Sequence, residues 1–275
     1  MKNITIKNAT IPALGLGTFQ LENDLARKIT AAAISEGYRH IDTAQAYKNE
    51  AGVGAAIKDS GIARDEIFLT TKVFRERLSK KDFMPSVEES LRGLKTDYVD
   101  LLLIHWPNRN VPVAEYMDQL MEAQRKGYTK HIGVSNHPTA LLDEVLATGA
   151  DIITNQVEYH PLINQTKLYT YLRGHGISLT AYSPIAQGKV LGNAVLKGIG
   201  EQYGKNEVQV SLRWLVQQDG VMAIPRTSKT ERLKDNLNIF DFELSAEDIT
   251  RIDQLKKDHQ RVVNPSFAPD WDQGS

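Results

Sequence analysis

The 275-residue sequence contains no cysteine, which excludes disulfide bonds, thiolate nucleophiles and zinc sites built on cysteine. Positive and negative side chains nearly cancel to a formal net charge of -1, so no overall field attracts nucleic acid or an anionic membrane. No apolar run reaches the roughly 18 residues of a membrane span, and the first residues do not resemble a signal peptide. We therefore expect a cytoplasmic protein with no nucleic-acid or membrane partner.

Short apolar segments alternate with amphipathic segments along the whole chain. The apolar segments are rich in β-branched residues and bounded by turn residues, so we interpret them as strands. Eight strands are predicted to begin near Leu14, Tyr38, Ile67, Val99, Ile132, Ile152, Ile177 and Val221. Helical spacing between them gives a βαβα pattern, which is typical of a parallel sheet. The length suits one (β/α)8 TIM barrel of the α/β class, a fold of about 250 residues.

Two additions to the barrel are predicted at its ends. Residues 4–6 and 10–11 flank Asn8, which favours a small N-terminal β-hairpin. Ser245 and Asp248 have the spacing of a capping box after the eighth strand, which predicts an extra C-terminal helix. Because no linker or repeat divides the chain, we interpret residues 1–275 as a single domain, and we expect a monomer.

Ionisable side chains directly follow three successive predicted strands. Asp42 and Tyr47 follow the second strand, Lys72 ends the third, and His105 follows the fourth. The carboxyl ends of barrel strands meet at the face that carries active sites, so these four side chains are expected to converge. Taken singly, each suits a structural ion pair or core packing. Together they are costly to desolvate, which favours a functional site.

This combination of side chains suits the reduction of a carbonyl group. Hydride transfer leaves an alkoxide that needs a proton, and Tyr47 can donate one. A Lys72 ammonium about 4 Å away would interact with a phenolate by roughly 4 kcal/mol, sufficient to lower the usual phenol pKa of ~10 by about three. Asp42 is expected to keep Lys72 protonated, and His105 to donate a hydrogen bond to the carbonyl oxygen.

A hydride donor has to be bound without the usual dinucleotide fingerprint. The glycine pairs in residues 15–17 and 52–54 lack the third glycine and the strand-turn-helix context, so we interpret them as packing positions. Barrels of this kind bind phosphate on their last strand-to-helix loops. In the last loop, the hydroxyls of Thr227 and Ser228 are expected to cap a helix, and Arg226 and Arg232 to bind a phosphate.

The sequence resembles the aldo-keto reductase family over nearly its whole length. The similarity is carried by residues 15–19, 37–50, 71–72, 98–101, 104–107, 132–136, 155–161 and 181–184. It implies a barrel in which Asp42, Tyr47, Lys72 and His105 are catalytic, with Tyr47 as proton donor. The tail at residues 261–272 looks like that of bacterial 2,5-diketo-D-gluconate reductases, which implies small oxo substrates such as 2,5-diketo-D-gluconate or methylglyoxal.

The resemblance also implies NADPH as cofactor. Tyr182 would stack on the nicotinamide, and its carboxamide would be held by Ser135, Asn136 and Gln156. The pyrophosphate would be followed by Ser183, Pro184, Ile185, Gln187 and Gly188. The 2'-phosphate would be held by Arg226, Thr227, Ser228 and Arg232, and the adenine by Asp235 and Asn236. Relatives more often have Lys-Ser at residues 226–227 and phenylalanine at residue 137, where this chain has histidine.

The residues predicted to contact the substrate are Phe19, Tyr47, Phe74, His105 and Trp106. Two other functions stay open: a class I aldolase in which Lys72 forms a Schiff base, and a barrel that senses NADPH with negligible turnover. The histidines lack the spacing of a metal site, so no metal is expected.

Overall fold

The computed structural model describes residues 2–272 and shows the predicted eight-stranded parallel barrel. The strands before it, β1 (Asn3–Ile6) and β2 (Ala9–Pro12), pair antiparallel as the predicted hairpin. The barrel strands are β3 (Leu16–Gly17), β4 (His40–Asp42), β5 (Phe68–Val73), β6 (Val99–Ile104), β7 (Thr129–Ser135), β8 (Ile152–Glu158), β9 (Ser178–Tyr182) and β10 (Val221–Ala223). Each strand begins within three residues of its predicted start.

The sheet closes between its first and last strands. Leu14 forms a parallel bridge with Ala223, and Gly17 forms one with Arg226. The amide of Gly15 donates to the carbonyl oxygen of Ala223 at 2.9 Å, which places a backbone hydrogen bond across the join. With no open edge left, the carboxyl ends of all eight strands surround one mouth.

Ten α-helices are described within residues 2–272, besides shorter 3-10 turns. They are α1 (Asn23–Ser35), α2 (Glu50–Asp59), α3 (Phe83–Leu94), α4 (Val113–Arg125), α5 (Thr139–Ala147), α6 (Thr166–Gly174), α7 (Ala194–Tyr203), α8 (Glu207–Gln217), α9 (Glu231–Leu237) and α10 (Ala246–Asp253). The capping box of Ser245 and Asp248 is present at the start of α10, so the extra C-terminal helix is confirmed. None of these helices is long and apolar enough to cross a membrane.

The glycines in residues 52–54 serve packing, as the sequence predicted. A β-carbon on Gly52 would lie 2.1 Å from the backbone oxygen of Asn23, and one on Gly54 would lie 2.4 Å from the backbone of Leu94. Both approaches are closer than any real side chain allows, so α2 packs against its neighbours only because these positions are glycine. Strands β5, β6 and β8 lie in the interior, and all of their residues are buried.

Candidate active site

Lys72 lies at the centre of the site, with its ammonium surrounded by three oxygens. Its Nζ is 2.5 Å from Oδ1 of Asp42, 2.8 Å from the carbonyl oxygen of Thr43 and 3.4 Å from the hydroxyl of Tyr47. Lys72 and Asp42 are 0% and 1% exposed, so this ion pair has no help from water. Because an ammonium has three N–H groups, each can be directed to one of these oxygens.

Asp42 also accepts two hydrogen bonds from residues on or next to other strands. Its Oδ2 accepts a hydrogen bond of 2.7 Å from the Gln156 amide in β8, and its backbone oxygen accepts one of 2.9 Å from the hydroxyl of Thr18 after β3. Both carboxylate oxygens therefore have partners, as a buried charge requires. Gln156, which was expected to hold a nicotinamide carboxamide, contacts the carboxylate of Asp42 in this structure.

Tyr47 lies on a single helical turn, Gln45–Tyr47, that directly follows β4. The turn is held by buried Asn49, whose amide donates to the carbonyl oxygens of Thr18 and Leu21, both at 2.9 Å. The Tyr47 ring lies 5.1 Å from the Phe19 ring. Sequence reasoning assigned no role to Asn49, although it lies two residues after Tyr47 in the motif.

His105 completes the group of four predicted catalytic residues. Its ring meets the Tyr47 ring edge-on at 5.5 Å between centres, and the Phe74 ring lies 6.2 Å away on another side. Burial lowers the pKa of His105 well below its usual value, and the charge of Lys72 acts in the same direction. The imidazole is therefore neutral at physiological pH, so it can donate one ring N–H and accept at the other nitrogen.

The expected pKa of Tyr47 is wrong in direction. Burial raises the pKa of its hydroxyl well above the usual value, and the charge of Asp42 raises it further. The Lys72 ammonium is near enough, but Asp42 offsets its field and burial disfavours the phenolate. Burial also lowers the pKa of Lys72, an effect that Asp42 opposes. Tyr47 consequently keeps its proton at neutral pH, which is the form that a proton donor needs.

Four of the predicted cofactor residues meet at the ends of β7, β8 and β9. The amide of Asn136 donates to the carbonyl oxygen of His105 and to the hydroxyl of Ser135, both at 3.0 Å, and its Oδ1 accepts from the Tyr182 hydroxyl at 2.8 Å. Ser135 in turn donates to the backbone oxygen of Gln156 at 2.7 Å. This network ties the predicted nicotinamide site to His105.

The loop after β9 has an unusual backbone. Ser183, Ala186 and Gln187 have φ angles of 47°, 48° and 54°, in the left-handed region that normally takes glycine. Gly188 follows with a φ of 96°. Residues other than glycine cost about 1 kcal/mol or more in this region, and such costs cluster at ligand-binding loops. The loop also contains Pro184 and Ile185, so all five predicted pyrophosphate residues lie on it.

Two exposed guanidinium groups follow β10, that of Arg226 on the loop and that of Arg232 in the first turn of α9. Arg226 donates to the backbone oxygens of Phe19 and Gln20 at 3.2 and 3.1 Å. Within residues 2–272, neither arginine forms an ion pair with a carboxylate. Ser228 is exposed beside them.

The prediction that Thr227 and Ser228 cap the following helix is wrong. The helix α9 begins at Glu231 and is preceded by Thr230, with no side-chain capping bond. The hydroxyl of Thr227 instead accepts from the amide of Lys229 at 3.0 Å, because the turn closes before the helix starts. The two predicted adenine residues lie on α9, Asp235 exposed and Asn236 buried.

The C-terminal tail packs on Trp106, which is 7% exposed. The Phe267 and Trp271 rings lie 5.4 and 6.0 Å from the Trp106 ring, both nearly edge-on. Glu158, at the end of β8, is fully buried and accepts hydrogen bonds from tail amides. Sequence reasoning missed Glu158, although the polar residues of the segment 155–161 gave a signal that a strand ends there.

His137 is a buried histidine with both ring nitrogens engaged. Its Nδ1 lies 2.8 Å from the carbonyl oxygen of Ser135, and its Nε2 lies 3.0 Å from the Tyr116 hydroxyl. The carbonyl can only accept, so Nδ1 carries the proton and Nε2 accepts from Tyr116. Burial lowers the pKa of His137 from 6.5 to about 4, partly opposed by the bond to Ser135.

Replacing His137 with phenylalanine should flatten the acid dependence of stability. Between pH 6.5 and about 4, His137 takes up a proton only when the chain unfolds, so acid favours the unfolded state. From pH 7 to pH 5, the free energy of unfolding should fall by roughly 2 kcal/mol more in the wild type than in His137→Phe. Urea unfolding at both pH values measures this, and equal slopes would contradict it.

Within residues 2–272, no group of three or more acidic or histidine side chains is arranged to hold a metal ion.

The model of the Aldo/keto reductase family matches residues 13–257. The chain belongs to the aldo/keto reductase family. Three similar proteins illustrate this membership. The methylglyoxal reductase DkgB of Escherichia coli O157:H7 is 43% identical over 266 residues, covering 95% of this chain and 99% of that protein.

The glyoxal reductase of Bacillus subtilis (strain 168) is 45% identical over 261 residues, 93% of this aldo/keto reductase and 92% of that protein. A crystal structure provisionally assigned as a 2,5-diketo-D-gluconic acid reductase B is 46% identical. It superposes with a TM-score of 0.97 and covers 99% of this chain and 98% of that one. The similarity thus extends over the barrel and its tail.

Proposed function

We propose that this aldo/keto reductase uses NADPH to reduce small aldehydes and ketones, with Tyr47 as the proton donor. The observation that carries the proposal is the 3.4 Å contact between the Tyr47 hydroxyl and a Lys72 ammonium that is itself paired with Asp42. The relatives are named for methylglyoxal, glyoxal and 2,5-diketo-D-gluconic acid. We propose substrates of the same class, small oxo compounds.

The proposed mechanism divides the work among four side chains. The hydride for the carbonyl carbon would come from NADPH when it is bound. Tyr47, protonated at neutral pH, donates its proton to the carbonyl oxygen as that oxygen gains negative charge. Lys72 stabilises the phenolate left behind, and Asp42 keeps Lys72 charged although both side chains are buried. Neutral His105, edge-on to Tyr47, orients the carbonyl oxygen through a ring N–H.

The residues around the mouth fit the parts of NADPH. The partly exposed Tyr182 ring would stack on the nicotinamide, with the carboxamide held by Ser135, Asn136 and Gln156. Since both N–H groups of Asn136 are already engaged, it would bind as an acceptor through Oδ1. The residues 183–188 would follow the pyrophosphate, and Asp235 and Asn236 would contact the adenine.

The preference for a 2'-phosphate rests on two unpaired cations. We propose that Arg226, Thr227, Ser228 and Arg232 surround this phosphate, because both arginines lack a carboxylate partner within residues 2–272. Arg226 holds the loop by its backbone contacts, which leaves Arg232 as the freer guanidinium. A guanidinium can bind phosphate oxygens with two parallel hydrogen bonds.

Arg232→Ala should therefore weaken NADPH binding while sparing NADH. The loss of a hydrogen bond to a charged group predicts about 1.5 to 3 kcal/mol, which is roughly a 10- to 150-fold rise in the NADPH dissociation constant. Titration calorimetry with both nucleotides measures the difference. Lys234→Ala removes another exposed cation of α9 and serves as control. Equal losses for NADPH and NADH would place the 2'-phosphate elsewhere.

The function is tested with a panel of methylglyoxal, glyoxal and 2,5-diketo-D-gluconate, following NADPH oxidation. Tight NADPH binding without turnover on any of them would favour a nucleotide sensor. A Schiff-base aldolase is disfavoured because the Lys72 amine is fully buried among three oxygens. Borohydride with a ketone and no nucleotide should therefore leave Lys72 unmodified.

A further inference from the structure

Glu158 has no part in the proposed reaction, yet it is a fully buried carboxylate with three donors directed at it. Its Oε1 accepts from the Val262 amide at 2.6 Å and lies 3.0 Å from Nε2 of His160, and its Oε2 accepts from the Val263 amide at 2.8 Å. The amide of Leu162 donates to Nδ1 of His160, so the His160 proton is on Nε2 and points at Glu158. Burying a carboxylate is costly, and the two amide bonds from Val262 and Val263 compensate that cost only while the tail is in place.

The tail segment held by Glu158 continues into the two aromatic residues, Phe267 and Trp271, that pack on Trp106. The Arg261 guanidinium, one residue before the bonded amides, lies 4.0 Å from the centre of the Trp271 ring. Downstream, Phe267 and Trp271 pack on Trp106, beside His105. The other end of this tail segment is held by Asp272, whose carboxylate accepts hydrogen bonds from the amide and the hydroxyl of Thr139.

We propose that Glu158 is a positioning residue that holds the tail over Trp106 and thereby shapes the pocket for substrates large enough to reach it. We name the carboxylate of Glu158 with the amides of Val262 and Val263 the tail latch. The statement about substrates rests on the proposed carbonyl reduction. The statement about the tail rests only on the contacts described above.

Two variants open the tail latch from opposite sides. Glu158→Gln keeps the size of the side chain, but a neutral amide has one accepting oxygen and turns its own N–H groups toward a donor. Val263→Pro removes one bonded amide from the tail itself and leaves the barrel unchanged, so it tests the latch even if Glu158→Gln fails to fold. The control is Ser266→Pro, at the second position of the turn that the Ala268 amide closes onto Pro265, where proline is favoured.

Trypsin reports the state of the tail without any activity assay. Cleavage after Arg261 breaks the peptide bond to Val262, whose amide is engaged by Glu158 in the latched state. Mass spectrometry follows this cut relative to the cut after Lys257. We expect roughly tenfold or faster cleavage in Glu158→Gln and Val263→Pro, both of which keep the Arg261–Val262 bond that trypsin cuts, and the wild-type rate in Ser266→Pro. An unchanged rate in both latch variants would overturn the proposal.

Steady-state kinetics distinguish a change confined to the substrate pocket from a loss of activity on all substrates. The aromatic ring of nitrobenzaldehyde is expected to extend from the reacting carbonyl toward Trp106, whereas methylglyoxal has only a methyl group and a second carbonyl beside it. The latch variants should raise KM for nitrobenzaldehyde roughly tenfold with kcat within about twofold, and should hardly change KM for methylglyoxal. Equal effects on both substrates would refute the pocket role. If the wild type reduces no carbonyl, the proposed function fails, and the cleavage assay still decides whether Glu158 holds the tail.

Discussion

Tyr47→Phe is expected to reduce carbonyl turnover by a factor of roughly 10² to 10⁴ while NADPH affinity stays near that of the wild type. The variant removes only the hydroxyl, which lies 3.4 Å from Lys72, and keeps the ring that packs on Phe19 and His105. The transition state then lacks its proton donor, whereas the residues proposed to bind NADPH are unchanged. Steady-state kinetics with methylglyoxal and a separate NADPH titration measure the two quantities.

The matched control for this loss is Tyr169→Phe. That hydroxyl, on α6, donates to the backbone oxygen of Asp219 at 3.0 Å, just before the amino end of β10 and so opposite the mouth of the barrel. The control should retain wild-type turnover. If Tyr47→Phe also keeps wild-type turnover, Tyr47 is not the proton donor, whatever its distance from Lys72.

The pH dependence of wild-type turnover gives a second test of the role of Tyr47. Because burial raises the pKa of Tyr47, its hydroxyl stays protonated through neutral pH and is deprotonated only above the ordinary phenol range. As a donor works only when protonated, reduction should lose no rate to Tyr47 between about pH 6 and pH 9. A decline through neutral pH that disappears in Tyr47→Phe would show the opposite pKa direction.

Much of the fold could be predicted because its signals are local. Strand lengths, β-branched residues and turn residues placed all eight strands, and the end of each strand then indicated which side chains share the mouth. The starts at Leu14 and Tyr38 were early by two residues, since hydrogen bonding to a neighbouring strand decides where a strand begins. No periodicity in the sequence carries that information.

Two of the errors, the pKa of Tyr47 and the missed Glu158, depend on several distant groups at once. Burial and the charge of Asp42 both raise the pKa of Tyr47, and reasoning from the attraction between Lys72 and a phenolate alone left both effects out. Glu158 was missed for the same reason, because its partners at residues 262–263 lie more than a hundred positions away. Such residues have a clear function only when the tail and the barrel are seen together.

Lys72→Met is expected to lose both stability and activity. The substitution removes the cation that is 2.5 Å from Asp42 and leaves a carboxylate that is 1% exposed with one amide partner, Gln156. Breaking a buried ion pair on one side costs about 3 to 5 kcal/mol in the free energy of unfolding. Urea unfolding at pH 7 measures this loss, and turnover with methylglyoxal should fall below that of Tyr47→Phe or match it.

The double variant Lys72→Met with Asp42→Asn separates the two roles of the lysine. Removing both charges leaves no uncompensated ion, so stability should return to within about 1 to 2 kcal/mol of the wild type. Turnover should stay lost, because nothing then stabilises the phenolate formed when Tyr47 gives up its proton. If the double variant regains turnover, the charge of Lys72 serves folding alone, and proton transfer from Tyr47 needs no ammonium beside it.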